Sequence, residues 1–356
     1  MVMSKQKLLI IQPQPFGYLT DSYKWCEYLK DIYEITVFCQ SGKKSKIRLD
    51  GIQIIYAKSF GSRTLRGLLF VLQCLLHIFF YKGKILVVYF EHCEVLKFIF
   101  PRKRILLDIR TLSVAKDLQK RNRYNSLIRK ACDKFDYVSV ISQGVKEKLK
   151  LGDKNVFILP LGADSISNVV KQYEVLHLLY VGTFSGRDIE KTIKAVFLFH
   201  SQYPSIPIFY DIVGDGYHNE LDDYKELVKK LNLDGIVFLH GHIPFVKMKP
   251  FFDKCNIGVS FIPLTDYYDI QPPTKTFEYI LSGLYTIATE TSSNKELITE
   301  VNGILIKDTP EDFSKALYAV YQKRELFDSK LIRKTLECYQ WKNIVQNRFI
   351  SIINSL

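Results

Sequence analysis

The sequence lacks the cysteine spacing of a disulfide framework or a zinc site. Its seven cysteines are scattered along 356 residues and never form a C-x-x-C pair, a pattern that fits a reducing compartment. No small-residue cleavage site precedes the first strand-like segment, so no signal peptide is predicted. Helix-turn-helix, zinc-finger and RNA-binding aromatic motifs are also missing, which argues against a nucleic-acid partner. We therefore expect a cytoplasmic protein without a metal site.

Short apolar runs alternate with longer segments of helical period throughout the chain. This alternation is typical of βαβ units and predicts an α/β fold with parallel sheets. A chain of 356 residues also exceeds what one hydrophobic core usually organises. We predict a Rossmann-like first domain over residues 1–168, a second over 169–338, and a helix over 339–356 that packs back toward the first domain. The predicted strands are Lys7–Gln12, Glu34–Cys39, Ile52–Ala57, Ile85–Phe90, Arg104–Asp108, Tyr137–Ile141, Leu176–Tyr180, Ile208–Val213, Ile236–Leu239, Ile257–Phe261 and Tyr285–Ala288.

Positive charge is concentrated in the first half. Residues 1–165 hold 29 Lys and Arg against 14 Asp and Glu, or +15, whereas residues 166–356 hold 21 against 23, or −2. The first half is therefore expected to meet something anionic, either a membrane surface or a lipid-phosphate acceptor. The most apolar run, Gly67–Phe80, is shorter than a membrane span and is interrupted by Gln73 and His77. Its two interpretations are a buried helix and a helix lying in the membrane interface.

A glycine-bearing turn begins the second half. Gly182 and Gly186 precede Arg187 and Lys191 between a predicted strand and a predicted helix. Backbone N–H groups at such a turn can approach a phosphate, and the helix N-terminus favours negative charge. Arg187 would offer bidentate donors to a diphosphate, and Lys191 a second positive charge. A plain turn with solvated charges is the alternative.

Two further segments follow predicted strands. Gly214 and Gly216 stand at the carboxyl end of one strand, where open α/β sheets bind ligands; a simple tight turn is the alternative. Gly241, His242 and Ile243 follow the next strand and offer backbone contacts to a planar base. No carboxylate or cysteine nearby completes a metal ligand set with the histidines of this segment.

The most specific segment runs from Gln271 through two prolines to Gly283. The prolines stiffen a loop, and a helix is predicted to begin near Thr274 with its free N–H groups available to an anion. Lys275 adds positive charge there. Glu278 lies one turn into the helix, where a carboxylate can accept hydrogen bonds from two vicinal ribose hydroxyls. Gly283 is expected to end the helix.

The ordered series from Val181 to Ile306 resembles the retaining glycosyltransferases of family 4. That family has the GT-B fold, in which two Rossmann-like domains with parallel sheets face a central cleft. Its G-x-x-x-x-R/K turn binds the donor diphosphate, V-G-x-G and F-x-G segments follow, and a P-x-K-x-x-E-x-x-x-x-G segment holds the ribose. The first half matches more loosely, through the Pro15–Gly17 loop. The resemblance implies donor contacts from Gly17, Gly182, Arg187, Lys191, Gly214, Gly216, Gly241, His242, Ile243, Thr274, Lys275 and Glu278.

The chain departs from the family pattern at the catalytic positions. The family often has two glutamates with seven residues between them; Glu278 matches the second, and Ile270 stands at the place of the first. Asp269 and Gln271 flank that place, and either is a candidate to address the sugar.

The family's first half often supplies a histidine after a strand. The corresponding segment here holds Asp108 and Arg110, and His92 follows an earlier strand. All three residues are open to a catalytic or a structural interpretation.

The resemblance implies transfer of a hexose from a UDP- or GDP-linked donor with retention of configuration, in cell-surface polysaccharide biosynthesis. The positive charge of the first half favours a glycan or lipid-linked acceptor. No D-x-D motif stands at a strand end, so a metal-independent reaction without a cofactor is expected. Peripheral attachment at the inner face of the cell membrane is compatible with the basic first half. The alternatives are a nucleotide-sugar epimerase or hydrolase of the same fold and a non-catalytic subunit of a polysaccharide-assembly complex.

Overall fold

The structure, a computed structural model, describes residues 5–42, 45–153 and 155–356. It divides the chain into two compact units. The first unit is formed by Met1–Leu161 and Trp341–Leu356, and the second by Gly162–Gln340. Each unit is built around its own parallel sheet, so the two units are described separately.

Within its described residues, the first unit has a sheet of seven parallel strands and five helices before the second unit begins. The strands are β1 (Gln6–Gln12), β2 (Tyr33–Gln40), β3 (Ile52–Ala57), β4 (Lys84–Val88), β5 (Ile105–Ile109), β6 (Tyr137–Val140) and β7 (Val156–Ile158). The helices are α1 (Thr20–Leu29), α2 (Arg63–Phe80), α3 (Glu94–Ile99), α4 (Leu118–Cys132) and α5 (Gln143–Lys148). The strand order is β3-β2-β1-β4-β5-β6-β7. Strands β4 and β5 are almost fully buried and, apart from Lys84 and Asp108, apolar, as expected for a sheet covered on both faces.

The second unit, all of whose residues are described, has six parallel strands. They are β8 (Leu176–Val181), β9 (Ile208–Val213), β10 (Val237–Gly241), β11 (Ile257–Ser260), β12 (Tyr285–Thr289) and β13 (Gly303–Ile306). The helices are α6 (Ile189–Gln202), α7 (Glu220–Lys230), α8 (Lys249–Lys254), α9 (Thr274–Leu281), α10 (Ser292–Lys295), α11 (Pro310–Gln322) and α12 (Ser329–Thr335). The order β10-β9-β8-β11-β12-β13 reverses direction between β8 and β11. Such a switch point leaves a crevice at the carboxyl strand ends, where α/β proteins bind ligands.

The C-terminal segment belongs to the first unit. It comprises α13 (Trp341–Ile344), a π-helical turn over Val345–Phe349, and α14 (Ile350–Asn354). The Phe349 ring stacks on Trp25 of α1 with centroids 4.7 Å apart. The hydroxyl of Tyr33 donates to Oδ1 of Asn354 at 2.8 Å. These contacts fix the end of the chain on the first sheet's helical layer.

The predicted α/β fold with two parallel sheets is confirmed. The sequence pattern does not predict β7 and β13, which are short strands of three and four residues at the sheet edges. The interpretation of Gly67–Phe80 as a buried helix is wrong, because only three residues of α2 are buried. By length and composition alone, α2 would also be able to cross a membrane.

Candidate functional site

Strands β8, β9 and β10 are neighbours in the second sheet, and each ends at or just before a glycine. Backbone groups without side chains therefore form their carboxyl ends. The N–H of Gly182 donates to the carbonyl of Val213 at 3.0 Å, and the N–H of Gly214 donates to the carbonyl of Gly241 at 2.9 Å. Gly214 has a φ of 151°, and a Cβ at this position would lie 1.8 Å from the carbonyl oxygen of Gly182. No side chain fits there. These carboxyl strand ends with Gly182, Gly214 and Gly241, here called the glycine edge, therefore form a flat surface that a phosphate or a planar ring can approach closely.

Arg187 stands in the turn between β8 and α6, next to this edge. Its guanidinium carbon lies 4.1 Å from the ring centroid of Tyr268, in the loop after β11. Its Nη1 atom is buried and has no hydrogen-bond partner. Stacking on an aromatic face holds a guanidinium in place without neutralising its charge. Arg187 therefore keeps donor capacity for an anion.

Lys275, in the first turn of α9, is the second such cation. Its Nζ lies 3.7 Å from the ring centroid of Tyr180 and is also buried without a hydrogen-bond partner. A Cβ on Gly182 would lie 3.0 Å from this amine, which places Lys275 at the glycine edge. Burial and the nearby charge of Arg187 hold the pKa of Lys275 well below its usual range, although Glu278 opposes them. An anion bound here would relieve both effects.

The N-termini of two helices open on the same switch point. Neither α6 nor α9 has a side-chain cap, so their first N–H groups are available to a ligand. Arg187 precedes α6, and Lys275 is the second residue of α9. The two residues lie on either side of the switch between β8 and β11. Two cations and two helix N-termini therefore form the positive pole of the site.

Glu278 lies one turn beyond Lys275 on α9 and is half-buried. Burial raises the pKa of its carboxyl to about 7, with the charge of Lys275 opposing this shift. Hydrogen bonds from hydroxyl groups would favour its charged form and lower the pKa again. A ligand that donates hydroxyl hydrogen bonds would therefore stabilise the charged form of this carboxyl group.

Replacing Glu278 by Gln is expected to stabilise the ligand-free protein above neutral pH. Between about pH 4.5 and 7 the folded state holds a proton that the unfolded chain has released, so the stability of the wild type falls as pH rises through this window. The raised pKa corresponds to at most about 3 kcal/mol. Melting temperatures should therefore differ by several degrees near pH 8 and converge near pH 5. The exposed Glu296→Gln serves as the control, and a pH-independent difference would contradict the prediction.

A buried polar chain positions α9. The hydroxyls of Ser260 and Thr276 lie 2.7 Å apart, and Thr276 also donates to Oδ1 of Asn294 at 3.1 Å. The amide of Asn294 in turn donates to the carbonyl of Thr289 at 2.8 Å. These bonds join β11, β12, α9 and α10. Because Thr276 is the neighbour of Lys275, the chain fixes the first turn of α9 at the glycine edge.

The turns after β8 and β9 are bonded to each other. The carboxylate of Glu220 accepts from the hydroxyl of Ser185 and from the N–H of His218 at 2.7 Å. A Cβ on Gly216 would lie 2.2 Å from Oε2 of Glu220. The Gly216 position is thus packed against this carboxylate, and the two glycine-bearing turns form one surface.

Lys191 lies in the first turn of α6, where two carboxylates already partly cancel its charge. Its Nζ lies 3.0 Å from Asp188 and 3.8 Å from Asp308. Burial opposes protonation, but the hydrogen bond and charge of Asp188 outweigh it and raise the pKa of Lys191. The role of Lys191 in diphosphate binding stays a prediction.

The segment after β10 combines an exposed and a packed residue. His242 is exposed, whereas Ile243 packs against a hydrophobic cluster of the second unit. The neighbouring His240 bonds to the buried carboxylate of Asp211 at 2.7 Å, and Lys254 bonds to the same carboxylate at 2.9 Å. Within residues 5–42, 45–153 and 155–356, no cluster of His, Cys, Asp and Glu is arranged to hold a metal ion.

Asp269 and Gln271 lie in the loop between β11 and α9. The carboxylate of Asp269 accepts from the N–H and hydroxyl of Ser292 at 2.8 and 2.6 Å. Gln271 donates to the carbonyl of Tyr267 at 2.7 Å. Both side chains hold the shape of the loop that carries Tyr268. Their catalytic role stays a prediction.

In the first unit, Asp108 lies near the end of β5 and Arg110 directly follows this strand. Asp108 is fully buried and accepts from Ser139 at 2.6 Å, and burial raises the pKa of its carboxyl to about 6. Arg110 pairs with Asp21 and donates to the carbonyl of Leu159 at 2.8 Å. This packing connects β5 with the chain segment that leaves the first unit.

Two other first-unit candidates lie in turns. Gly17 has a φ of 85°, and a Cβ there would lie 2.5 Å from the side chain of Ile47, so the loop after β1 requires glycine. His92 also has a positive φ of 71°, and its Nδ1 lies 3.8 Å from Glu94. A function for either residue stays a prediction.

The sequence did not predict the two tyrosines whose rings contact the cations, Tyr268 under Arg187 and Tyr180 under Lys275. Tyr180 occupies a strand and reads as a core residue, and Tyr268 stands in a loop of mixed polarity. The adjacent Tyr267-Tyr268 pair was the available signal, because paired aromatics in a loop beside a predicted phosphate site are suited to stack on a guanidinium.

Comparisons with known proteins agree with this architecture. Residues 175–323 match the family model for Glycosyl transferases group 1. The structure is similar to sucrose-phosphate synthase from Thermosynechococcus elongatus, with a TM-score of 0.76 and 15% identity over 99% of this chain and 100% of that one. No curated protein matches the chain significantly in sequence.

Two further structures share the fold. Anabaena HepE in complex with UDP has a TM-score of 0.74 and 12% identity over 98% of this chain and 100% of that one. The lipopolysaccharide outer core galactosyltransferase WaaB in its apo form has a TM-score of 0.72 and 17% identity over the same shares. The chain therefore has the GT-B fold, and residues 175–323 of its second unit match the model for Glycosyl transferases group 1.

Proposed function

We propose that this protein transfers a sugar from a nucleotide-diphosphate donor, UDP- or GDP-linked, to a glycan or lipid-linked acceptor. The observation that carries the proposal is the pair of unneutralised cations at the glycine edge. Arg187 and Lys275 are held over tyrosine rings, and each has a buried nitrogen without a hydrogen-bond partner. Such an arrangement is unfavourable in an empty protein and becomes favourable when a diphosphate binds.

The carboxyl of Glu278 complements this positive pole. A nucleoside diphosphate brings two vicinal ribose hydroxyls, which can donate to Glu278 one turn along α9 from the phosphate site. The backbone near Gly241 and Ile243 is proposed to meet the base. The crystal structure of HepE with UDP supports a nucleotide ligand for this fold.

During sugar transfer, charge develops on the sugar and on the leaving diphosphate, and the proposed roles of the site residues follow from this. The bond between the anomeric carbon and the diphosphate oxygen breaks, leaving a cation-like sugar and a diphosphate with increased negative charge. Arg187, Lys275 and the two helix N-termini would stabilise the departing diphosphate, which is where electrostatic catalysis acts most strongly. The acceptor hydroxyl then bonds to the anomeric carbon and releases its proton. We propose that this occurs on the face from which the diphosphate leaves, so that configuration is retained, and that the two cations act without a metal ion.

The acceptor is proposed to bind the first unit. This unit carries the excess positive charge of the chain, which suits an acceptor with phosphate groups, such as a growing glycan on a lipid carrier. A role in cytoplasmic steps of cell-surface polysaccharide biosynthesis is consistent with such an acceptor.

Calorimetry with nucleotides tests the donor site first. UDP or GDP should bind far more tightly than the corresponding monophosphate, because the second phosphate reaches the Arg187 and Lys275 pole. The 2′-deoxy diphosphate should bind less tightly than the ribonucleotide, because Glu278 loses a donor. A screen of nucleotide sugars for diphosphate release, with and without EDTA, then identifies the donor. Equal binding of mono- and diphosphates would overturn the site assignment.

The same measurements separate the alternatives. Diphosphate binding without sugar transfer to any acceptor would favour a non-catalytic subunit. Release of free sugar or of an altered nucleotide sugar in the absence of an acceptor would favour a hydrolase or an epimerase.

A further inference from the structure

Helix α2 of the first unit has apolar residues on two opposite faces. One face is buried and is formed by Phe70, Cys74 and Ile78. The other is exposed and is spaced by three and four residues, which places its members in one stripe along the helix. The exposed stripe, with the exposed fraction of each residue, consists of Leu65 (39%), Leu68 (56%), Leu72 (47%), Leu76 (61%) and Phe79 (63%), and Phe80 (75%) adjoins its end.

The two polar residues that interrupt this run in the sequence do not lie on the exposed stripe. The amide of Gln73 donates to the carbonyl of Lys58 and accepts from its N–H, both at 2.9 Å. The ring of His77 packs on Phe38 with centroids 4.2 Å apart. Both side chains point to the body of the first unit. The outer face of α2 is therefore uninterrupted apolar surface.

The helix is fixed to the first unit at its middle and at its C-terminal end. Phe70 contacts the rings of Phe38 and Phe90 at centroid distances of 5.6 and 5.1 Å. The side chain of Ser62 caps the N-terminus, and the amine of Lys103 donates to the carbonyls of Ile78 and Tyr81 at the C-terminus. A helix anchored in this way lies along the surface of the unit and does not span a bilayer.

A second exposed apolar group lies at the end of the neighbouring helix. Helix α3 packs beside α2, and the rings of Phe79 and Phe100 are 6.3 Å apart. Phe98 and Ile99, on the last turn of α3, are 80% and 49% exposed. Monomeric soluble proteins rarely expose contiguous apolar surface of this extent, and such surfaces mark interaction sites.

The charged residues that flank α2 in the sequence are all basic, and Glu34 of β2 lies near the C-terminal end of the helix, where it pairs with Lys7. No Asp or Glu occurs from Gly51 to Phe90, whereas Lys58, Arg63, Arg66, Lys82 and Lys84 fall in this stretch. An apolar stripe flanked by cations is complementary to an anionic lipid surface, with apolar side chains among the acyl chains and cations at the headgroups.

We propose that this face of the first unit docks on an anionic lipid bilayer, with α2 lying parallel to the membrane plane. The outer stripe of α2 enters the interface, and the flanking basic residues contact anionic headgroups. The inference is independent of the donor site, which lies in the second unit. Docking would present the basic first unit to lipid-borne molecules.

Flotation of the full chain with lipid vesicles tests this proposal. The wild type should float with vesicles containing phosphatidylglycerol, and binding should weaken with added salt and with pure phosphatidylcholine. Leu72→Glu should reduce binding at least about tenfold, because it places a charge in the middle of the stripe. Its melting temperature and UDP affinity should be those of the wild type, because Leu72 is exposed and remote in sequence from the donor site.

A tryptophan at the same position gives an independent measurement. Both native tryptophans, Trp25 and Trp341, are buried, so Leu72→Trp adds an exposed reporter. Its emission should shift to the blue with anionic vesicles and be quenched by brominated acyl chains. Leu326, which is 80% exposed in the second unit, provides the matched controls Leu326→Glu and Leu326→Trp, which should leave binding and emission unchanged.

Three outcomes would overturn the proposal. The wild type could remain unbound with anionic vesicles, or Leu72→Glu could bind as the wild type does. The third is sedimentation of the wild type as a dimer that Leu72→Glu dissociates, without vesicle binding, which would assign the stripe to a second copy of this chain.

Discussion

Replacing Lys275 by Met is expected to weaken UDP binding about 30-fold and, at the same time, to raise the melting temperature of the ligand-free protein. A hydrogen bond to a charged group contributes about 1.5–3 kcal/mol, and about 2 kcal/mol corresponds to this loss of affinity. The amine of Lys275 is buried against Tyr180 without a hydrogen-bond partner. Its replacement therefore removes no hydrogen bond from the fold.

The stability gain should depend on pH in a defined direction. Burial and Arg187 lower the pKa of Lys275 in the folded state, so the unfolded chain holds the proton more tightly. Between the lowered value and about 10.4, the pKa of an unperturbed lysine, the stability of the wild type rises with pH. The advantage of Lys275→Met should thus be largest at pH values below the lowered pKa of Lys275 and should shrink toward about pH 10.

A lysine exposed on α6 provides the control. Lys194 is solvent-exposed, and Lys194→Met should change neither UDP affinity nor the melting temperature measurably. Unchanged affinity in Lys275→Met would remove this amine from the phosphate site. A fall in its melting temperature would show that Lys275 supports the fold instead.

The parts of the site that depend on local sequence were predictable. Helix α9 begins at Thr274, as the two prolines and the apolar period indicated, and Gly283 follows it with a φ of 80°. The turn after β8 and the edge glycines also lie where the strand pattern placed them. In each case the residues that determine the geometry are neighbours in the chain, so their spacing carries the information.

The parts that depend on distant contacts were not predictable. Tyr268 meets Arg187 across 81 positions of sequence, from 187 to 268, and no spacing rule indicates this contact. Lys191 reads as a free cation until Asp308 is brought within 3.8 Å of it. In α2, composition shows that Gln73 and His77 are present but not that they point inward.

The edge strands were not predicted from the sequence for a different reason. Strand β7 has three half-buried residues and a neighbour on one side only, so it needs neither the length nor the apolar run of a central strand. Such segments gain their structure from the sheet that they join. The same dependence on partners makes propensity a weak guide at sheet edges.

Replacing Arg187 by Ala is expected to lower the rate of sugar transfer about 100- to 1000-fold, the size of effect seen when one preorganised donor to a developing negative charge is removed. The guanidinium stacks on Tyr268 and carries an unpartnered buried nitrogen, so it can respond to charge that increases as the diphosphate leaves. Affinity for the intact nucleotide sugar should fall by a smaller factor, because its diphosphate carries less negative charge before the bond breaks than at the transition state.

A comparison with Lys191→Ala distinguishes the two cations that the sequence assigned to the diphosphate. Lys191 is already paired with Asp188 and Asp308, so its loss removes a charge that two carboxylates partly cancel. We expect a reduction in transfer rate at least about tenfold smaller than for Arg187→Ala. Steady-state rates of diphosphate release, with melting temperatures as the folding control, measure both variants. Equal losses would mean that Lys191 leaves its carboxylates when the donor binds, and wild-type rates in Arg187→Ala would remove the guanidinium from the reaction.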